Sequence, residues 1–400
     1  MEPEIGFGGD PVNGRYGHVV VVWGQRTLIW GGDGINPLRR CDPAIIYCHE
    51  NSTWTPKTTT GQVPPPTFLA AGQVIEDGLF IACGSYSINQ YTNEIYRLNL
   101  ITWTWVKLDP KGTRPLRSRN MISWVSGNKM FIFGGIGNGK EYNIHYPEFL
   151  ETIHMGTFWF FNNQLVYYDC QHNSWNWPMT NGVMPTPRHG HQAFHVEGLY
   201  KKENLPEMYF RSLAFVFGGW DANGILNDLY FLDIETMTWQ VVNNPTLPTT
   251  SDLWPEPRAQ HSLTLISREA AVLFGGYNFI RRKTMGDCWL LSVECILNGQ
   301  IEYIWTRCKH HENNTRRDSH KAVQEPSTQR VWLTGGFKGL CQHADHIREL
   351  TFTAPPLKDL ALESAAEHFE KLAPEIQELP KKDVLRQAIE SKAQQKLMIT

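Results

Sequence analysis

Charge is scarce in this chain of 400 residues. Only 19% are Asp, Glu, Lys or Arg, and 37 basic against 40 acidic side chains leave a formal net charge of −3. Attachment to nucleic acid or an anionic membrane through overall charge is thereby excluded. No apolar run reaches the length of about 18 residues needed for a spanning helix. The eight Cys include no CxxC pair, the usage expected of free thiols in a reducing compartment. The opening residues, MEPEIGFGGD, lack the basic and apolar regions of a secretory signal. The expectation is an intracellular protein, cytoplasmic and/or nuclear, whose sequons at Asn51 and Asn313 go unused. No G-x-S-x-G, phosphate-binding glycine loop or HExxH occurs. Catalysis, and with it a cofactor, is not expected.

Glycine, proline and tryptophan are plentiful, at 33, 24 and 15 residues. Much of the glycine is periodic. Apolar runs end in Gly-Gly at LIWGG (28–32), MFIFGG (130–135), AFVFGG (214–219), AVLFGG (271–276) and VWLTGG (331–336), with a degenerate copy, LFIACGS, at 79–85. The spacing is 50–60 residues, apart from one gap of 84. Before the doublet stands an Arg followed closely by His: Arg15 and His18, Arg188 and His191, Arg258 and His261, Arg317 and His320. After it comes a strand with a central Tyr or Trp, then a strand opened by Trp54, Trp105, Trp175, Trp239 or Trp305. A unit of four short strands at this period reads as one blade of a β-propeller. The glycines let the inner strand bend where a Cβ would clash. The aromatics fill the wedge between blades, each indole N–H needing an acceptor.

These marks resemble kelch repeats. The resemblance implies an all-β fold, a six-bladed kelch propeller over residues 1–355 with a short C-terminal α-helical tail at 356–396. The last repeat has no Trp strand before Pro355-Pro356. Residues 4–8 are therefore expected to supply its fourth strand and close the ring, since an open edge is what propellers avoid.

An up-and-down meander places the loops after the doublets and the Arg-x-x-His turns on one face. Two insertions, 137–161 in the third blade and 198–210 in the fourth, add long loops, where specificity commonly resides. That face gathers Arg119, Phe161, His189, Trp220, Gln260, Tyr277, Arg281 and Arg282 as candidate peptide-binding residues, with Asp33, Arg39, Arg40, Asn120 and Lys283 beside them. Aromatic groups among cations suit a peptide with an anionic feature. Cys308, His310 and His311, with Cys341, His343 and His346, are of zinc-binding types, but their spacing fits no compact zinc motif, and no metal is expected.

Beyond Pro356 the composition changes: residues 357–396 carry charge and no Gly or Trp, with apolar residues at helical spacing. Propeller and tail together resemble the kelch-domain-containing substrate receptors of cullin-2 RING ubiquitin ligases. That resemblance implies an elongin C box at Leu357, Leu360 and Ala361 and a cullin-2 box at Leu379 and Pro380. Asp383 departs from the second box, where an apolar residue is expected. It further implies elongin B/C and cullin-2 as partners and a degron peptide, in some members a C-terminal one, on the propeller face. At the family's carboxylate-binding positions this chain has Trp220, Ile225, Ala259 and Gln260, so a different or relaxed specificity is expected. The rival expectation is a kelch scaffold without a ligase role, its tail used for self-association. Deleting residues 1–10 is expected to lower the melting temperature sharply; an unchanged melt would contradict the closing-strand assignment.

Overall fold

The computed structural model describes residues 14–34, 44–48, 53–87, 90–138, 154–155, 159–199, 211–242, 253–295, 301–308, 316–325, 330–339, 342–344 and 347–351. The expected closing strand, both docking boxes, Arg39, Arg40, His310, His311, Cys341, His346 and most of both insertions lie outside them. The chain separates into two units, Met1–Leu350 and Thr351–Thr400. Among the described residues every regular element is a strand, and none is a helix long and apolar enough to cross a membrane.

The first unit is a propeller. Its first blade runs Val19–Trp23, Arg26–Trp30, Ala44–Cys48, Thr53–Lys57, and its second Ala71–Ile75, Gly78–Ala82, Ile95–Asn99, Thr104–Leu108. The third is Ile122–Ser126, Lys129–Asn138, Trp159–Asp169, Ser174–Asn176, and the fourth Gln192–Leu199, Arg211–Asp221, Gly224–Asp233, Thr238–Val242. The fifth is Ser262–Ser267, Ala270–Phe274, Cys288–Cys295, Ile301–Arg307. Each is an antiparallel meander from the innermost strand outwards. The remaining sheet holds three strands, Lys321–Gln324, Arg330–Thr334 and Arg348–Thr351. The described residues thus form five four-stranded blades, not the six expected. The strand that would complete a sixth was placed at residues 4–8, outside the described chain.

The ring nevertheless closes, and the glycine doublets show how. The second residue of each doublet sends its amide to a carbonyl of the following module: Gly32 to Thr67, Gly84 to Ser118, Gly135 to Arg188, Gly219 to Arg258, Gly276 to Arg317, and Gly336 back to Arg15, at 2.8–3.1 Å. The first glycine lies against the same carbonyl. A Cβ on Gly31, Gly134 or Gly218 would stand 2.7–2.9 Å from it, and on Gly275 or Gly335 closer still. With φ near +60° at these positions as well, glycine is the residue that fits; the second module departs, with Cys83 at φ of 59°.

The repeated Arg fastens the doublet within its own module. Arg15, Arg188, Arg258 and Arg317 each donate from Nη1 to the carbonyl of Gly31, Gly218, Gly275 or Gly335. Arg188 also grips Asp228 in bidentate fashion (2.6 and 2.9 Å), and Arg258 grips Asp287 (2.8 and 2.8 Å). Burial would raise the Asp287 carboxyl. The Arg258 charge and the Trp289 indole N–H outweigh it and hold the carboxyl at about 2. Removing one partner of such a pair strands the other, at a cost of about 3–5 kcal/mol.

The core is a set of wedges between neighbouring modules. The residue before the doublet meets the repeated His of the next module edge-on: Phe133 with His191, Phe217 with His261, Phe274 with His320, at 5.4–5.7 Å between centroids. At the closing joint Thr334 takes the Phe position, and its Oγ1 lies 2.8 Å from His18 Nε2. Fourth-strand Trp239 and Trp305 pack on Phe133 and Phe217 of the preceding blade, and Trp105 on Trp30. The N–H groups of Trp105, Trp175, Trp239 and Trp305 meet no acceptor among the described residues. The expectation that each indole N–H finds one is therefore corrected: these rings are held by shape and ring contact.

His18, His191, His261 and His320 are buried, and desolvation, reinforced by the neighbouring Arg, holds all four well below 6.5, His320 at about 3. Folded, they stay neutral while the unfolded chain takes up protons below pH ~6.5, so stability falls as pH drops. By pH 5 each costs about 2 kcal/mol. Thermal melts at pH 7 and pH 5 should show a steep loss of stability at the lower pH; equal melting temperatures would contradict the neutral assignment.

Candidate functional site

The centre of one propeller face is built by six turns of one kind. The residue just before the repeated His, or its counterpart, is left-handed in every module: Gly17, Leu69, Asn120, Gly190, Gln260 and Ser319, with φ between 54° and 66°. Five of the six amides reach the carbonyl of the preceding one: Leu69 to Gly17, Asn120 to Leu69, Gly190 to Asn120, Gln260 to Gly190 and Ser319 to Gln260, at 2.7–3.3 Å. A left-handed Leu, Gln or Ser is strained by about 1–3 kcal/mol. The cross-module hydrogen bonds hold that strain in place.

The residue before this one forms an antiparallel bridge with the residue after the doublet, so each module offers a rim pair. The pairs are Tyr16 with Asp33, Phe68 with Ser85, Arg119 with Ile136, His189 with Trp220, Ala259 with Tyr277, and Asp318 with Phe337. In the third blade the ladder continues past the doublet, and Ile136 also pairs with Phe161. That register brings Phe161 to the rim, as the insertion reading expects.

The aromatic candidates come together. Phe161 stacks on His189 (5.3 Å, 12° between planes), and His189 lies 5.7 Å from Trp220. Trp220 packs on Phe279 at 4.6 Å, and Phe279 meets Tyr277 edge-on at 4.7 Å. Phe279 was not singled out from the sequence; its position between Tyr277 and Arg281, in a loop already assigned to this face, was the available signal. A second aromatic group, His343, Phe337, Tyr16 and Phe68, lies across the rim from the three-stranded sheet to the second blade.

The cations are placed unequally. The Arg119 guanidinium lies 5.4 Å from the Phe68 ring centre and 5.5 Å from that of Tyr91, a geometry that fixes it by cation–π attraction. Arg281 and Lys283 share Glu256, at 2.9 and 3.4 Å. Arg282, exposed at the tip of the same hairpin with φ of 47°, has no side-chain partner among the described residues. The acidic groups nearby are engaged internally. Asp221 accepts from Thr186 and from the amides of Asn223 and Gly224, Asp228 accepts from Arg188, and Asp318 accepts from Thr284 and Ser319. The Trp220 indole N–H and the Gln260 side-chain amide have no hydrogen-bond partner among the described residues and are not sealed from solvent.

Asn120 donates from Nδ2 to His189 Nδ1 at 2.9 Å, which leaves the ring proton on Nε2. Desolvation, then the Arg119 charge, pulls the His189 pKa down to about 4. The ring is thus a neutral aromatic surface at ordinary pH.

Comparison with known proteins agrees with this architecture. A family profile described as the KLHDC2/KLHL20/DRC7 Kelch-repeats domain matches residues 17–201. Kelch domain-containing protein 2 of Bos taurus is 28% identical over 390 residues, covering 92% of this chain and 88% of that protein. This is a kelch-repeat β-propeller protein. Kelch domain-containing protein 1 of Mus musculus is 27% identical over 70% of this chain and 66% of its own length. Host cell factor 2 of Homo sapiens is 30% identical over 68% of the chain, which spans only 31% of that longer protein. The solved structure of YjhT shares the fold, with a TM-score of 0.56 and 14% identity over 87% of this chain and 96% of that one. Kelch propellers are generally non-enzymatic protein-interaction modules. Among the described residues no group of His, Cys, Asp or Glu gathers to hold a metal ion.

Replacing Arg119 with Ala removes the cation that depresses His189. The His189 pKa, read by NMR titration, should rise above its value in the intact propeller; an unmoved value would assign the depression to desolvation alone.

Proposed function

We propose that this protein is a non-catalytic substrate-recognition subunit of a cullin-2–elongin B/C ubiquitin ligase, its propeller face holding a degron peptide and its tail docking the ligase. The observation that carries the reading is the continuous strip Phe161–His189–Trp220–Phe279, neutral, aromatic and bordered by Arg119 and Arg282. Large aromatic groups beside an Arg are what peptide-binding hot spots are made of. The chemical contribution of such a subunit is proximity: it keeps a substrate lysine near the ubiquitin donor.

The ligase half of the reading rests on the tail, with Leu357, Leu360 and Ala361 for elongin C and Leu379 and Pro380 for cullin-2. The likeness to kelch domain-containing protein 2 supports it, because 92% of the chain is more than residues 1–355 can supply. The full chain co-expressed with elongin B/C should co-purify with it, and Leu357→Arg should abolish that association while leaving the propeller's melting temperature unchanged. Absence of association with the intact protein would overturn the ligase role.

A further inference from the structure

We propose that the rim of blades three to five takes an internal segment of its partner, with a large apolar side chain seated on Trp220 and Phe279 and an acidic side chain set against Arg282. The inference rests on the face being a peptide-binding surface; it does not require the ligase assignment.

Three observations lead to it. First, the apolar seat is built and partly open. Trp220, near the end of strand Arg211–Asp221, and Phe279, in a hairpin turn of the next blade, pack with ring centres 4.6 Å apart. Phe279 remains 37% exposed and the adjoining Ile280 77%. Apolar groups this exposed, set beside a packed aromatic pair, are unusual for a loop tip and mark a contact surface.

Second, the charge beside the seat is unbalanced in one direction. Glu256 is shared by Arg281 and Lys283, while Asp221 and Asp228 are tied to groups of their own module and Asp318 to Thr284 of the preceding one. Among the described residues beside the seat Arg282 is left over, so the complementary ligand is anionic.

Third, the unpaired cation is in the wrong place for a chain terminus. A terminal carboxylate needs donors converging where water is excluded. The face centre instead carries the side chains of Leu69, Asn120, Gln260 and Ser319, none of them cationic. Arg119 is held by the Phe68 and Tyr91 rings. Arg282 stands at the exposed hairpin tip, where a segment passing over the rim can reach it with a side chain and continue outwards. The Gln260 side-chain amide and the Trp220 indole N–H, both open, are suited to the backbone of such a segment.

The test uses the purified full chain and a library of short peptides displayed between fixed flanks, so that no free C-terminus is offered. Enrichment of sequences pairing a large apolar residue with Asp or Glu is expected. A synthetic copy of the best sequence should bind equally well with a free or an amidated C-terminus. Trp220→Ala should weaken it by about tenfold or more. Arg282→Ala, at an exposed tip where folding is not at stake, should weaken the acidic peptide by about threefold to tenfold at low salt and leave its Asp→Asn or Glu→Gln version unaffected. No enrichment, a requirement for a free carboxylate, or indifference to Arg282→Ala would each overturn the proposal. Elongin co-purification is read on the same preparations. Its persistence with peptide binding absent sinks this inference alone, and its absence with peptide binding intact sinks the ligase reading alone.

Discussion

One hydrogen bond, repeated around the axis, holds the rest of this molecule in place. The amide of the second glycine in each doublet reaches a carbonyl of the following module, and the sixth such bond, from Gly336 to Arg15, returns to the start. The approach is so close that five of the six modules have no Cβ at either doublet position, and the second tolerates one only at Cys83, left-handed with φ of 59°. Once they are fixed, the repeated Arg has a carbonyl to hold, the preceding Phe has a His to meet, and the fourth-strand Trp has a wedge to fill. The face follows from the same constraint. The turns that offer their carbonyls to the glycines also carry the left-handed residues at its centre and the rim pairs outside them.

This division separates what supports the ring from what the ring presents. Arg188, Arg258, His191 and His261 are buried and spent on the frame. His189, Gln260 and Arg119, one or two places after an Arg or its counterpart, are held by that frame on the candidate face. A face composed of Phe161, His189, Trp220 and Phe279 is accordingly a statement about ligand, made on a scaffold whose own demands are met elsewhere.

The sequence was legible wherever a residue type was forced by sterics or by a buried charge. The glycine doublets, the Arg and His of each turn and the Trp-bearing fourth strands each announce themselves, because few other residues would serve. The candidate face was legible as a collection of loops, and Phe161, His189, Trp220 and Tyr277 do come together along it. Phe279 escaped notice because nothing in its own spacing distinguishes an aromatic residue at a hairpin tip. The sharing of Glu256 by Arg281 and Lys283, which singles out Arg282, depends on the packing of neighbouring loops. The described residues hold five complete blades, since six doublets guarantee six inner strands but not six complete sheets. The wedge is selected for shape, and among the described residues no acceptor meets the indole N–H of Trp105, Trp175, Trp239 or Trp305.

The seam between first and last modules has a consequence for how the protein comes into being. His18 and Thr334 meet across a separation of 316 residues, and the flank of the first blade, formed by Val20, Val22 and Ile29, is covered by Val323, Trp332 and Ile347. During translation the flank is complete long before its cover emerges. At ribosomal speeds of about 5–20 residues per second that interval is roughly 15–60 s. Throughout it the nascent chain carries an apolar wall and an unfinished ring, which makes the last module to be synthesised the step that commits the whole propeller and the interval before it the natural window for chaperone attendance.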